Sequence, residues 1–278
     1  MSNQETISKF VDQMLLSGKA NSSIGTYTSY VGQLAKWIDC DLSQVTDEMI
    51  RSYFLNLRTS VPEAEQYYNS AISAIKLFTE IILKRKWNDE LHYIKVKHHK
   101  LKEVLTISEV QYLLETTYNL KHRCILGLLY SSMLRVNELV NLKCKGDIDS
   151  KQMIVNVRVA KGGKERITIL SEKVLGWLRE YYMEYKPQEW LFEGQKPGAH
   201  LTVRTVEHIM EQGLERCNID KQVSPHGLRR TGASHLLEAG TDLRTIQILL
   251  GHNDISTTTI YTQVSTSHIS KIKSLLDK

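Results

Sequence analysis

The sequence predicts a mainly α protein in two parts: an N-terminal four-helix bundle, then a mostly helical domain carrying a small antiparallel β-sheet. Three observations predict it. Apolar residues recur at helical spacing through most of the 278 residues. Strand-like alternation is confined to one stretch, Met153 to Leu170. Between the two helical parts the periodicity lapses over a run rich in lysine and histidine.

Each element has its own signal. Ile7, Phe10, Val11, Met14 and Leu15 make the first stripe, and Gly18 stops it. Ile24, Tyr27, Val31, Leu34 and Ile38 make the second. Thr46 caps a third helix, with Asp47 and Glu48 in the first turn, where the helix dipole favours acids. Its apolar face is Ile50, Phe54 and Leu57. After Pro62, a longer fourth helix is marked by Tyr68, Ala71, Ile72, Ile75, Phe78 and Ile82. Four helices with short connections make a bundle over 1–88, and 89–104 reads as an inter-domain linker. Thr106-Ile-Ser-Glu109 is a capping box that opens the second domain, 105–278. Within it, Met153-Ile-Val-Asn-Val-Arg-Val159 and Glu165-Arg-Ile-Thr-Ile-Leu170 read as strands joined by the hairpin Ala160-Lys-Gly-Gly-Lys164. Trp190-Leu-Phe192 is expected to add a short third strand, and a tail helix over 266–278 carries Ile269, Ile272, Leu275 and Leu276.

Composition excludes several classes. The hydrophobic fraction of 41% belongs to a globular chain. No run of about 18 apolar residues offers a membrane span. The first residues, Met1-Ser2-Asn3-Gln4-Glu5, lack the basic start and apolar core of a signal peptide, so the cytoplasm is the expected compartment. Cys40, Cys124, Cys144 and Cys217 lie far apart with no CxxC pair, which argues for plain thiols over zinc or a disulfide framework. A net charge of +5 permits a nucleic-acid partner without requiring one. Its placement says more: Lys84, Arg85, Lys86, Lys95, Lys97, Lys100 and Lys102 cluster, opposed only by Asp89 and Glu90. This run reads either as a solvated linker or as a strap along phosphates, where each contact releases counterions.

Chemistry concentrates near the C-terminus. In Ser224-Pro-His-Gly-Leu-Arg-Arg-Thr231, Ser224 is a helix N-cap and Pro225 suits the first helical position. His226 and Arg229 then share one face of the first turn, where free N–H groups already favour anions. That is a phosphate-binding corner, though a lone HxxR is usually surface. Leu249-Leu-Gly-His252 follows, and Tyr261 lies nine residues beyond that histidine.

This order of motifs is similar to the C-terminal signature of the tyrosine recombinases, the group that contains the Xer proteins and the phage integrases. Leu134-Arg-Val-Asn-Glu-Leu139 resembles the family's first arginine motif and puts Arg135 in the site. The turn Ala160-Lys-Gly-Gly-Lys-Glu-Arg166 resembles its lysine-bearing hairpin, with Lys161 the matching residue and Lys164 the alternative. All six positions, Arg135, Lys161, His226, Arg229, His252 and Tyr261, occur in the family's order. The resemblance implies the integrase fold, with the N-terminal bundle clamping DNA. It implies that Tyr261 attacks phosphorus to give a 3′-phosphotyrosine and a 5′-hydroxyl, the bond energy being kept for religation. Arg135 and Arg229 would hold the non-bridging oxygens. Lys161 would protonate the leaving oxygen, His226 would manage the tyrosine proton, and His252 would donate to the phosphate. Glu138 is expected to fix the rotamer of Arg135, and Arg230 to lie on the DNA backbone or the surface.

Two departures from the pattern stand out. Met133 occupies a place usually small, often glycine, and Gly232-Ala233 stand where an aromatic and a small residue are commoner. Slight local repacking is expected. No cofactor and no metal are implied, since the motifs carry no carboxylate cluster of the two-metal kind. The expected partners are double-stranded DNA and further copies of the chain, a tetramer on paired sites, with or without a second recombinase or accessory factor. Lys84, Arg85, Lys95, Lys97, Lys100 and Arg230 are the expected DNA-binding residues. The tail helix either folds back on its own domain or packs into a neighbouring subunit. A relaxing type IB topoisomerase and a catalytically retired DNA-binding regulator are the competing readings.

Overall fold

The computed structural model describes residues 2–60, 65–88, 103–158 and 165–251. Two compact units divide it, Met1–Lys100 and Leu101–Lys278. The basic residues Lys95, Lys97 and Lys100, the hairpin residue Lys161, and His252, Tyr261 and the tail helix lie outside the described residues.

In the first unit, α1 (Asn3–Leu16), α2 (Asn21–Trp37), α3 (Asp47–Ser60) and α4 (Glu65–Ile81) form the expected bundle. The helical stripes are its core: Phe10, Met14, Val31, Leu34, Ile50, Phe54, Ile72, Ile75 and Phe78 are all buried. Phe10 and Phe78 meet edge-on, with ring centroids 5.5 Å apart. Thr46 caps α3 as predicted, its Oγ1 accepting from the Met49 amide at 3.2 Å. A capping box also starts α1. The Ser2 hydroxyl accepts from the Glu5 amide, and the Glu5 carboxylate accepts from the Ser2 amide at 2.9 Å.

The basic run begins with two residues in different situations. Lys84 is exposed, on a left-handed backbone with φ 53°. Arg85 is half-buried and turned inward, donating to the Val45 carbonyl at 2.6 Å and pairing with Asp47 at 3.3 Å. It ties the exit of α4 to the start of α3.

The second unit is built around α6 (Leu120–Ser131). Cys124 to Leu129 are buried on every face, and the helix packs against both α8 (Glu172–Tyr185) and α10 (Pro225–Glu238). The capping box at Thr106 opens α5 (Ile107–Glu115) as predicted, with the Thr106 amide donating to Glu109 at 2.6 Å. The short α7 (Val136–Val140), α9 (Val203–Arg216) and α11 (Leu243–Leu250) complete the helices. No helix among the described residues is long and apolar enough to cross a membrane.

The sheet is antiparallel, in the order β1 (Ile148–Asp149), β2 (Ile154–Val157), β3 (Arg166–Ile169). Ile154 pairs with Ile169 and Val157 with Arg166. The third strand is therefore not Trp190-Leu-Phe192, as the sequence reading had it. Leu191 and Phe192 are buried in the core, and the segment makes only a single bridge, Trp190 to Lys143. Ile148 takes the sheet edge instead, opposite Val155.

The two departures around the arginine motifs are one packing event. A Cβ on Gly232 would lie 2.2 Å from the Tyr130 carbonyl oxygen, so α10 approaches α6 more closely than any side chain there allows. The same Cβ position is 3.2 Å from Met133 Cγ. The bulky Met133 thus fills space that Gly232 leaves, in a cluster with Ala233, Leu237, Ile246 and Leu250. Met133 nevertheless keeps a glycine-like backbone, with φ 50°.

Candidate active site

The start of α10 forms as its sequence dictates. The Ser224 hydroxyl accepts from the Gly227 amide at 3.2 Å, and Pro225 occupies the first turn. His226 is exposed at this helix start, whereas Arg229, one turn on, is wholly buried. Burying an arginine requires oxygen partners for its donors. Arg229 Nη1 donates to the Met133 carbonyl at 2.5 Å, and Nη2 to the Leu250 carbonyl at 2.6 Å.

Arg229 is one of three arginines gathered on a single carboxylate. Glu138, on α7, is 2% exposed at its side chain. Its Oε1 accepts from Arg135 Nη1 at 2.7 Å and from Arg166 Nε at 3.2 Å. Its Oε2 accepts from the Arg135 amide at 2.7 Å, from Arg166 Nη2 at 2.6 Å and from Arg229 Nη1 at 3.5 Å. Burial alone would push this carboxyl up. Arg166's hydrogen bonds and charge, the Arg135 amide and the Arg229 charge outweigh burial and hold it below the ordinary carboxylate range. Glu138 therefore does fix the Arg135 side chain, and it does the same for two further guanidinium groups.

The same arginines close the carboxyl end of α11. That helix is capped at its start by Asp242, which accepts from the Thr245 amide at 2.9 Å, and ends at Gly251 with φ 62°. Its last turn has no basic residue of its own. Arg166 Nη1 donates to the Leu249 carbonyl, Arg229 Nη2 to Leu250, and Arg135 Nη2 to Gly251 at 3.2 Å. Three consecutive carbonyls at the negative end of a helix dipole thus meet three cations drawn from elsewhere in the chain.

The cluster carries three positive charges and one negative, a net +2, with Arg135 the most accessible member at 26% side-chain exposure. Planar forks with excess positive charge suit an oxyanion. Among the described residues, no group of His, Cys, Asp and Glu side chains is arranged to hold a metal ion.

Of the six residues singled out in sequence, the structure brings Arg135 and Arg229 together and puts His226, exposed, one turn before the buried Arg229 on α10. Lys161, His252 and Tyr261 are outside the described residues. Arg230, expected on the DNA backbone or the surface, is buried. Its Nη2 donates to the Glu103 carbonyl at 2.9 Å, tying α10 to the chain that leads into α5. Arg166 was missed. The available signal was an arginine opening the strand Arg166–Ile169, directly after the lysine-bearing turn of the sequence. Tyr181 is buried in the core, while its neighbour Tyr182 is exposed.

Known proteins resemble the chain over both units. A model of the phage integrase family matches residues 103–268, and one of the phage integrase N-terminal SAM-like domain matches residues 7–89. An integrase/recombinase of Sinorhizobium fredii is 37% identical over 90% of this chain and 82% of its own length. Tyrosine recombinase XerD of Staphylococcus epidermidis is 34% identical over 92% of each chain. Among solved structures, XerH site-specific recombinase bound to difH substrate, a pre-cleavage complex, superposes with a TM-score of 0.70. It shares 20% identity, with 92% of this chain and 79% of that one covered.

Proposed function

The chain belongs to the phage integrase family and is a tyrosine recombinase, and from that premise we propose how its own residues cut and rejoin DNA. The substrate is duplex DNA at a specific site, and the reaction passes through a 3′-phosphotyrosine on Tyr261. Arg135 and Arg229 receive the scissile phosphate. Lys161 protonates the departing 5′-oxygen, His226 handles the tyrosine proton, and His252 donates to the phosphate.

One observation carries this reading: Arg135 and Arg229, 94 positions apart in sequence, share Glu138 and the carboxyl end of α11. A phosphodiester holds one negative charge and gains a second as it is attacked. The cluster's net +2 matches that developing charge, which is where preorganised electrostatics accelerates a transfer. The Met133 and Leu250 carbonyls and Glu138 orient Arg229 before DNA is bound.

The wider assembly belongs to the same proposal. The N-terminal bundle and the basic run, including Lys84, Lys95, Lys97 and Lys100, hold the duplex. The enzyme acts in the cytoplasm as a homotetramer on paired sites, moving a mobile element or resolving replicon dimers. The test is strand exchange between two DNA copies of one site, in chelator and without nucleotide. Recombinant products on an element's junction or on a dimer-resolution site support the reading and assign the role. Failure of exchange on both, with DNA still bound, contradicts it.

A further inference from the structure

All three nitrogens of the Arg166 guanidinium are committed to the protein. Nε and Nη2 grip the two oxygens of Glu138 fork to fork, at 3.2 and 2.6 Å. Nη2 also reaches the Met133 carbonyl at 3.4 Å, and Nη1 donates to the Leu249 carbonyl. Its side chain is 7% exposed. A guanidinium so placed serves the protein's own acceptors. Those acceptors are the pieces that hold the other two arginines of the cluster: Glu138 fixes Arg135, Met133 also takes Arg229, and Leu249 adjoins the Leu250 and Gly251 carbonyls.

A second observation supports a dedicated role. Gly251 lies against the Arg166 stem, where a Cβ would come within 2.5 Å of Arg166 Cδ. The helix end is thus cut back to glycine at the place where this side chain passes. Arg166 also opens β3, where it pairs with Val157 of β2, five residues after Lys161 in sequence.

We infer that Arg166 is a positioning residue for the reaction: it orients Glu138 and the carboxyl end of α11 so that Arg135 and Arg229 are presented as a fixed pair. This rests on the function proposed above. Lysine cannot substitute, because a single ammonium cannot span both Glu138 oxygens and the Leu249 carbonyl together.

The test is R166K in the full chain, with single-turnover cleavage of a nicked duplex at saturating protein and binding to the same duplex measured separately. Cleavage is expected to slow by ~10- to 100-fold, the loss that follows from removing a charge-assisted pair that aligns the transition state, with DNA affinity unchanged. E138Q/R166K should be no slower than the slower single variant, because the two residues act as one unit. R216K, which weakens the bond from Arg216 to Thr117 Oγ1, should lower the melting temperature without changing the cleavage rate. Wild-type cleavage by R166K overturns the inference. So does a loss of affinity equal to the loss of rate, which makes Arg166 a DNA contact. An unfolded R166K also overturns it, since the residue is then structural. If the wild-type chain itself forms no covalent complex, the proposed function fails first.

Discussion

Replacing Glu138 with glutamine should destabilise the catalytic unit far more than an ordinary Glu→Gln change. The side chain keeps its shape and loses its charge. In the structure the carboxylate accepts five N–H contacts, from Arg135, Arg166 and Arg229, between 2.6 and 3.5 Å. A glutamine offers one accepting oxygen there and turns an NH2 toward guanidinium donors. Two of the three cations, Arg166 and Arg229, are 7% and 0% exposed and have no water to turn to. Removing one partner from a buried ion pair costs about 3–5 kcal/mol. Set against a total of roughly 5–15 kcal/mol, the variant should fold but melt about 6–20 °C lower. The pH dependence has a definite sign. Glu138 titrates below its ordinary value in the folded state, so its contribution is complete above the unfolded value of about 4.3 and is lost as pH falls through the folded one. Melts of wild type and E138Q over a pH series should therefore differ most near neutrality and converge in acid. A difference under ~1 kcal/mol at neutral pH, as for a solvent-exposed pair, or one that stays constant into the acid range, would refute this account of the cluster.

Two glycines in helices should respond with opposite signs to alanine. Gly232→Ala presses a Cβ against the Tyr130 carbonyl, and overpacking of that kind costs about 1–3 kcal/mol. Gly176→Ala, on α8 with open space around it, should instead stabilise by roughly 0.5–1 kcal/mol through helix propensity. Chemical melts of both variants check the pair, and stabilisation by Gly232→Ala would undo the close α6–α10 approach. Deleting residues 267–278 should weaken cooperative binding to paired sites more than binding to a single site. Equal losses would rule out subunit exchange by the tail.

What was legible in sequence follows the range of the interactions. Helical stripes such as Phe10, Met14 and Ile72, Ile75, Phe78 are local patterns, and each fell in the core. The Thr106 and Ser224 caps are likewise written within four residues. Arg135 and Arg229 could be read because their motifs are linear. Arg166 could not: its partners Glu138 and Leu249 are 28 and 83 positions away, and locally it resembles a solvated strand end. Arg85 and Arg230 misled for the same reason, since each sits in a basic context while its acceptors, Val45 and Glu103, are distant in sequence. Trp190-Leu-Phe192 has strand composition, but it forms a single bridge, to Lys143, a partner 47 positions away that no local pattern announces. The Met133 and Gly232 departures were visible singly, but that they fill one another's space emerges only where α6 meets α10.

The most direct measurement traps the covalent intermediate. A duplex nicked near the cut position, so that the severed end diffuses away, is incubated with the wild-type chain and with Tyr261→Phe, without metal or nucleotide. The complex is resolved under denaturing conditions and its nucleotide-bearing peptide is mapped. A covalent band is expected from wild type alone, with the nucleotide on the peptide containing Tyr261. A band of equal intensity from Tyr261→Phe, or a nucleotide carried by another tyrosine, would contradict it.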